Sequence, residues 1–261
     1  MNNLFPAKAI TLTPEAVLRP AYQKYLEDNF GPMCEVAHAN SASRPLAAVI
    51  VECRSLPHIA SVLRNFLVFL EGRFNLHVVH GSANRDLIER ITASWTIDRV
   101  ELETDNLDIA AYDRLLKSTL FWRKFESCER VLVFQSDCVA VDQFDERFLE
   151  FDLVGAPCGP DGRYFNGGLS LRNPRRMLEA IARYAAADDP VTEDIFFTEA
   201  LRRMGAALPD PFTATQFALE SNYLAHPFGV HGTDKFYHKD EVAQAVTREG
   251  ALCLRELRGT L

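Results

Sequence analysis

A buried β-strand that runs directly into polar residues lies in the middle of the chain, at Val131-Leu132-Val133-Phe134-Gln135-Ser136-Asp137-Cys138-Val139-Ala140-Val141. Four consecutive apolar residues indicate a strand that is covered on both faces, as the strands of parallel sheets are. A carboxylate at the end of such a strand must be paired, hydrogen-bonded or metal-bound to offset its loss of water. Asp137 is therefore a candidate metal ligand, although capping a turn is the commoner task of a carboxylate in this setting.

On both sides of this strand, apolar runs alternate with helical patterns. Further strands are predicted at 46–51, which is a continuous apolar run, and at the shorter segments 76–79, 99–102, 153–156 and 168–171. The predicted helices share a periodic apolar face and lie at 55–72, 84–92, 107–125, 175–186 and 193–204. This alternation predicts an α/β fold with a mainly parallel central sheet, whose ligands bind at the carboxyl ends of the strands.

Two regions are predicted along the chain, a helical appendage with a linker at 1–45 and a single domain at 46–261. In the first region, Thr13-Pro14 is a helix-start signal, and Pro20 is expected to break or kink the helix that follows. In the helix at 107–125, the spacing places Ile109, Leu116 and Leu120 on one apolar side.

The composition excludes several classes of function. The 28 Lys+Arg and 36 Asp+Glu residues give a net charge of −8 without a basic block, so nucleic-acid binding is not expected. The longest stretch free of charged residues, 221–233, is shorter than the roughly 20 residues of a transmembrane helix. The amino terminus lacks the basic-then-apolar pattern of a signal peptide. The six cysteines show no paired spacing, and we expect a reduced, cytoplasmic protein.

Three segments further along the chain place polar residues in unusual settings. Asn166-Gly167-Gly168 precedes an apolar run; it is first of all a turn signal, although two glycines also let backbone amides approach a ligand. Glu193-Asp194 begins a helix that continues with apolar residues, so these acids are either favourable charges at a helix start or buried groups with a task. His231 lies between two glycines in an uncharged loop. Each signal is weak by itself.

In their order and spacing, these four segments resemble the GT-A-fold glycosyltransferases, and most of all a poorly characterised group of glycosyltransferase-like proteins from bacteria and fungi. The resemblance spans roughly 46–231 and implies a GT-A-like Rossmann-type sandwich with helices flanking the sheet. It also implies that Asp137 and His231 bind a divalent cation, Mn²⁺ or Mg²⁺, beside the diphosphate of the donor. Gln135 stands where that family has the first Asp of an Asp-x-Asp motif, and a neutral amide cannot supply the anionic contact of that Asp.

The same resemblance implies a catalytic pair at Glu193 and Asp194, with Asp194 as the general base of an inverting transfer. A base held beside an acceptor hydroxyl typically contributes about 10²–10⁴-fold to the rate. A divalent cation stabilises the charge that a leaving nucleoside diphosphate develops, and an imidazole ligand favours Mn²⁺ over Mg²⁺.

The residues expected to contact the donor lie at the predicted carboxyl edge of the sheet, in the glycine segment or on the long helix beside them. They are Glu52, Arg54, His80, Lys117, Gln135, Ser136, Asn166, Gly167 and Gly168. For a basic residue on a helix such as Lys117, a solvated position is the commoner fate.

The sequence therefore predicts a metal-dependent glycosyltransferase that moves a sugar from a nucleotide-sugar donor, expected to be a UDP-sugar, to a hydroxyl of a carbohydrate or another acceptor. Two alternatives stay open. A sugar-nucleotide nucleotidyltransferase uses a related sheet, but it needs a glycine-rich loop after the first strand, where residues 52–58 contain no glycine. A non-catalytic module that binds nucleotide sugar or glycan is favoured by Gln135 and disfavoured by Asp194 and His231.

Overall fold

The computed structural model describes residues 18–186, 190–220, 226–232 and 240–259. In chain order, the strands of this part of the protein are β1 (Leu46–Glu52), β2 (Phe74–Gly81), β3 (Asp98–Leu102), β4 (Arg130–Phe134), β5 (Val139–Ala140), β6 (Leu153–Cys158), β7 (Tyr164–Arg172), β8 (Ala218–Leu219) and β9 (Gly229–Val230). The central sheet has six strands in the order β3-β2-β1-β4-β7-β6. Its first four strands are parallel to one another, and β7 and β6 continue it in antiparallel pairings. The predicted mainly parallel α/β sandwich is confirmed.

Helices flank this sheet and connect its parallel strands. They are α1 (Pro20–Phe30), α2 (Ile59–Phe69), α3 (Arg85–Ile91), α4 (Ile109–Leu116), α5 (Thr119–Arg123), α6 (Pro174–Tyr184), α7 (Glu193–Arg203), α8 (Pro211–Phe217) and α9 (Asp240–Gly259). Short 3-10 helices lie at Glu146–Glu150 and Pro160–Gly162. Among the residues just described, none of the helices combines the length and the apolar character that crossing a bilayer requires.

The burial of β1 on both faces explains why its sequence is apolar from Leu46 to Val51. Every one of its residues is buried, and it is hydrogen-bonded to β2 on one side and to β4 on the other. Its register pairs Glu52 with His80, and Ile50 with Phe134. Because these strands are parallel, their carboxyl ends meet at one edge, which brings Glu52, His80 and Gln135 to the same side of the molecule.

A second, small sheet brings the end of β4 close to a segment more than ninety residues later. It consists of β5, β9 and β8, with β9 in the middle. After Asp137 the chain enters β5, which pairs antiparallel with β9, and His231 follows β9 directly. On α2, Asn65 is buried and hydrogen-bonded in both directions to the Ala140 backbone, at 2.8 and 2.7 Å. This anchor fixes β5 on the helix layer.

The prediction of a single helix at 107–125 is wrong, because the helix is interrupted between α4 and α5. Ser118 ends the first helix and caps the second, accepting a hydrogen bond from the Phe121 backbone at 3.2 Å. The break turns Phe121 and Trp122 into the core and leaves Leu120 84% exposed and Ile109 59% exposed. The predicted continuous apolar side of this helix therefore does not exist.

The prediction that Asn166-Gly167-Gly168 precedes a strand as a turn is also wrong. These residues lie inside β7, which pairs with β4 and with β6. The pairing with β6 shifts register between Gly155 and Pro157, and a side chain at Gly155 would overlap the Asn166 carbonyl. An irregular ladder of this kind tolerates glycines that a regular strand interior would not favour.

The amino-terminal helix begins at Pro20 and is not broken by it. Proline lacks a backbone N–H, but in the first turn of a helix this group has no partner within the helix anyway. Pro20 therefore costs α1 no hydrogen bond. The helix-start signal at Thr13-Pro14 lies outside the described residues. The α1 helix packs against α2 and α9, with Arg19 paired to Asp240 at 3.2 Å.

We expect Asn65→Ala to lower the free energy of unfolding by about 2–4 kcal/mol, because it leaves two buried backbone groups of Ala140 without their hydrogen-bond partner. Urea denaturation followed by circular dichroism measures the change. Gln23→Ala serves as the control, since it removes only an exposed contact with Glu27, and it is expected to shift stability by less than about 0.5 kcal/mol. Equal effects of the two variants would contradict the proposed anchoring of β5.

Candidate functional site

Asp137 and His231 meet at the carboxyl edge of the central sheet. The Asp137 Oδ2 atom lies 3.7 Å from His231 Nε2, and Gln135 Oε1 lies 3.2 Å from the same nitrogen. The His231 side chain is buried, whereas Asp137 is partly open to solvent. The structure thus brings the two predicted metal ligands together, with the predicted donor-binding residue Gln135 beside them.

The position of His231 is fixed from several directions. Its backbone N–H donates to the Leu219 carbonyl at 2.9 Å, which continues the small sheet. Its Nδ1 atom lies 3.7 Å from Glu220 Oε1, on the other side of the ring from Asp137. The imidazole occupies the space where a side chain at Gly168 would lie. From the sequence, Glu220 is a low-weight candidate with a structural role as its ordinary interpretation, because it lies far in sequence from the other acids.

Cys138 adds a sulfur atom to this group and was also missed. One donor atom each from Asp137, Cys138 and His231 lies within 4.8 Å of the others. The Cys138 thiol is buried, donates to the Gly168 carbonyl at 3.2 Å and accepts from the Gln135 backbone N–H at 3.3 Å. Its place directly after Asp137 is the available signal, but cysteine is so often a small apolar residue that this position alone does not indicate a ligand.

Glu52, Arg54 and Ser136 form a hydrogen-bonded network next to Asp137. The Glu52 carboxylate is buried and accepts two bonds from the Arg54 guanidinium, at 2.8 and 2.9 Å, and one from the Ser136 hydroxyl at 2.7 Å. The hydrogen bonds and charge of Glu52, with a smaller contribution from Asp137, raise the pKa of the Arg54 guanidinium. Arg54 therefore keeps a positive charge at this edge, while Glu52 is already occupied by protein partners.

His80 and Lys117 have less central positions. The His80 side chain is buried at the end of β2, with Nδ1 3.0 Å from the Gly81 carbonyl, and it lies beside Glu52 in the sheet register. Lys117 donates to the Val191 carbonyl at 2.6 Å and lies over the Phe196 ring. Lys117 thus contacts the start of α7.

Glu193 is held in a buried ion pair. Its carboxylate accepts two hydrogen bonds from Arg172, at 2.5 and 2.9 Å, and Arg172 is only 1% exposed. The guanidinium lies over both the Trp122 and the Phe197 rings, 5.7 and 5.6 Å from their centroids. Burial raises the pKa of the Glu193 carboxyl, and the charge of Arg172 opposes that shift. This pair gives Glu193 a structural task, while the predicted catalytic role of Glu193 stays untested.

Asp194, the next residue of the same helix start, is less buried than Glu193. Its carboxylate is only half-buried and accepts from the Thr192 hydroxyl at 2.6 Å. On the neighbouring α4, Asp113 accepts from the Glu193 backbone N–H at 3.1 Å, and burial raises the pKa of the Asp113 carboxyl. Two elements therefore hold the first residue of α7, and the carboxylate of the second residue stays accessible.

Acidic groups outnumber basic ones in this region. The acids are Glu52, Asp113, Asp137, Glu193, Asp194 and Glu220, whereas Arg54 and Arg172 are the guanidinium groups in contact with them. A nucleoside diphosphate would bring further negative charge, which a bound cation would offset. The Asp137 oxygen and the His231 nitrogen are suitable ligands for Mn²⁺, and the electrostatics of the site fit a bound cation.

Comparison with known proteins gives a family and a fold. The family model described as "Protein of unknown function (DUF5672)" matches residues 95–231. None of the curated protein sequences matches this chain. Among solved structures, the chain is similar to the apo-form glycosyltransferase GlyE of Streptococcus pneumoniae TIGR4, with 14% sequence identity and a TM-score of 0.50. The match covers 82% of this chain and 63% of the GlyE chain. At this identity, the likeness demonstrates a glycosyltransferase-like fold.

Removing one partner of the buried ion pair is expected to lower the free energy of unfolding more than replacing both partners by apolar residues. Arg172→Met leaves the Glu193 carboxylate buried without its partner and should lower the free energy of unfolding by about 3–5 kcal/mol. The double variant Arg172→Met/Glu193→Leu should recover most of that loss, because it removes both buried charges. Urea denaturation of the single and double variants measures the difference. A double variant as unstable as the single one would show that the charges are not the reason for the loss.

The two glycines of β7 should respond differently to alanine. An added Cβ at Gly167 overlaps the Glu193 carboxylate and lies 2.7 Å from Arg172 Nη2, so Gly167→Ala must disturb the ion pair, at about 3–5 kcal/mol. Gly168→Ala would place its Cβ within 2.6 Å of three atoms of the buried His231 ring, and we expect displacement of that ring to cost about 1–3 kcal/mol of unfolding free energy.

The control for both is Gly259→Ala, whose Cβ meets no atom within 4 Å. Unfolding free energies of the three variants test the order of these effects. A larger loss for Gly168→Ala than for Gly167→Ala would contradict the assignment.

Proposed function

The chain belongs to the family of proteins of unknown function described as DUF5672, and we propose that this member is a glycosyltransferase that takes a sugar from a nucleotide-sugar donor. Its glycosyltransferase-like fold supports the reaction class. The observation that carries the proposal is the approach of Asp137 to His231, 3.7 Å apart at the carboxyl edge of the sheet. Open α/β sheets bind their ligands at this edge. Residues 46–261 are the proposed catalytic unit.

We propose that the nucleotide part of the donor, expected to be a UDP-sugar, lies along the ends of β1 and β2. His80 and Glu52 are neighbours there, and the Arg54 guanidinium extends from Glu52 toward Asp137. A positive charge in that place suits the diphosphate. Asn166, Gly167 and Gly168 in β7 are the proposed neighbours of the donor sugar, because they lie against His231 and Glu193.

A divalent cation is the proposed cofactor, with Asp137 and His231 as its protein ligands and Mn²⁺ or Mg²⁺ as the expected ion. When bound, it supplies positive charge against the diphosphate that leaves the sugar. The excess of carboxylates around His231 supports the need for such a charge, since Asp137 and Glu220 lie on either side of the ring. Gln135 would remain beside the cation as a neutral amide.

Asp194 is the proposed general base. Its half-buried carboxylate is hydrogen-bonded to Thr192 and remains open enough to accept a proton from an acceptor hydroxyl. Arg172 and Asp113 hold the preceding residue, Glu193, through its side chain and its backbone. Attack by that hydroxyl opposite the leaving group inverts the configuration at the sugar, so the inverting mechanism is part of the proposal.

One observation favours a second candidate, a module that binds nucleotide sugar or glycan without turning it over. Gln135 replaces an acidic residue, and its amide lies 3.2 Å from His231 Nε2, the atom proposed to hold the cation. A site in which this contact persists would bind a ligand through hydrogen bonds alone. The two candidates differ in whether donor binding needs a divalent ion and whether the donor is cleaved.

Calorimetric titration of the full chain with UDP-, GDP- and CMP-sugars, with and without Mn²⁺, tests the proposal. We expect one class of donor to bind and to be hydrolysed slowly without an acceptor. Asp137→Ala should abolish both, because it removes a ligand of the cation. Asp194→Asn should keep donor binding and lower transfer to an acceptor by about 10²–10⁴-fold.

Asp28→Asn is the matched control, since it removes an exposed carboxylate that pairs with Lys24 on α1, outside the proposed catalytic unit, and we expect it to leave both measurements unchanged. Binding without turnover that does not respond to Mn²⁺ would favour the non-catalytic module. The absence of binding to any nucleotide sugar would reject both candidates.

A further inference from the structure

We propose that Cys138 is a third ligand at the site of Asp137 and His231, and that this site selects a thiophilic ion of the Zn²⁺ and Co²⁺ class over Mg²⁺ and Mn²⁺. The proposal rests on the proposed function only for the use of the ion in sugar transfer. The ability of the site to bind the ion is independent of any donor. It follows from the donor atoms, their spacing and the groups that orient them.

The spacing of the donor atoms suits a small tetrahedral ion. A carboxylate oxygen, a sulfur and an imidazole nitrogen lie within 4.8 Å of one another, and the Asp137 Oδ2 and His231 Nε2 atoms are 3.7 Å apart. Tetrahedral Zn²⁺ with ordinary bond lengths needs its ligand atoms about 3.3–3.7 Å apart. Shifts of a few tenths of an ångström to about 1 Å therefore complete the site. Three protein ligands and one open position are the pattern of zinc sites that act on substrates.

One of the two hydrogen bonds at the Cys138 sulfur favours a thiolate, and the other fits the neutral thiol of the metal-free site. The Gln135 backbone N–H donates to Cys138 Sγ at 3.3 Å, and such a bond stabilises negative charge on sulfur. The thiol hydrogen is directed at the Gly168 carbonyl, at 3.2 Å. On binding, the thiol gives up this proton to solvent, the bond to the carbonyl is lost, and a sulfur–metal bond replaces it. Metal uptake is therefore accompanied by the release of one proton from Cys138.

Glu220 lies beside the imidazole nitrogen that faces away from Asp137. Its carboxylate lies 3.7 Å from His231 Nδ1, while Asp137 lies on the Nε2 side of the ring. In the metal-free site, Gln135 Oε1 lies 3.2 Å from Nε2 and accepts a hydrogen bond, so the ring hydrogen is on Nε2. Binding of a metal at Nε2 moves that hydrogen to Nδ1, where the Glu220 carboxylate favours it. Glu220 is thus a positioning residue for His231, and it presents Nε2 toward Asp137 and Cys138.

The class of ion follows from the donor set. Mg²⁺ prefers oxygen ligands, whereas thiolate and imidazole select Zn²⁺ and related ions. At Gln135 the chain has an amide and no second carboxylate, so the described donors comprise one oxygen, one nitrogen and one sulfur. This composition shifts the preference away from the hard ions expected from the sequence resemblance.

Titration of the metal-free full chain with Co²⁺ tests the proposal, because cobalt bound to a thiolate has an intense near-ultraviolet sulfur-to-metal charge-transfer band. We expect one equivalent of Co²⁺ to produce the band, and one equivalent of Zn²⁺ to remove it. Cys138→Ser should abolish the band. Cys253→Ser is the matched control, since that cysteine lies on α9 and contacts Asp142, and it should keep the band unchanged.

A second readout concerns Glu220. We expect Glu220→Gln to weaken Zn²⁺ binding by about 10–100-fold in competition with a chromogenic chelator, the range found for partners of metal-bound histidines. Circular dichroism establishes that each variant is folded before it is titrated. Unchanged Zn²⁺ affinity in folded Glu220→Gln would overturn its positioning role.

The outcomes also separate this proposal from the proposed function. Absence of the charge-transfer band in the parent protein, or its persistence in Cys138→Ser, overturns the thiolate ligand, even if Mn²⁺ still supports donor binding. A band that depends on Cys138 in a protein that binds no nucleotide sugar supports the metal site and rejects the glycosyltransferase. Mn²⁺ binding that is tighter than Zn²⁺ binding overturns the selectivity.

Discussion

Two adjacent residues without side chains, Gly167 and Gly168, allow the two polar clusters of this protein to approach the same strand. Successive residues of a strand point to opposite faces, and a Cβ at each glycine would overlap a different partner. At Gly167 that partner is the Glu193 carboxylate in its ion pair with Arg172, and at Gly168 it is the His231 imidazole. The helix start that carries Asp194 and the loop that carries His231 are therefore both positioned by backbone packing against β7.

Much of the fold was predictable because its strands are buried on both faces. The run from Leu46 and the run from Val131 became β1 and β4, the two central parallel strands, with bounds that differ by one residue at most. The break between α4 and α5 was missed, because Ser118 is compatible with a helix interior until its hydroxyl caps the next turn. The glycines of β7 were read as a turn, since the partners that justify them lie on distant segments.

The candidate site was predictable only in part. Polar residues at strand ends pointed to Asp137, Glu52 and His80, since parallel strands end at one edge. The tasks of Arg172 and Glu220 depend on tertiary contacts with Glu193 and His231, at sequence separations of 21 and 11, and no local pattern reports such contacts. The excess of acidic over basic side chains at the site could not be predicted either, because a sequence does not show which carboxylates lie on the same surface.

The small sheet has a consequence for the order in which the protein matures. Asp137 and His231 are 94 positions apart, and they come together only when β9 is inserted between β5 and β8. At translation rates of about 5–20 residues per second, roughly 5–20 s pass between the synthesis of these two residues. A nascent chain at that stage contains the aspartate without its histidine, so the two-residue site forms only after residue 231 has left the ribosome.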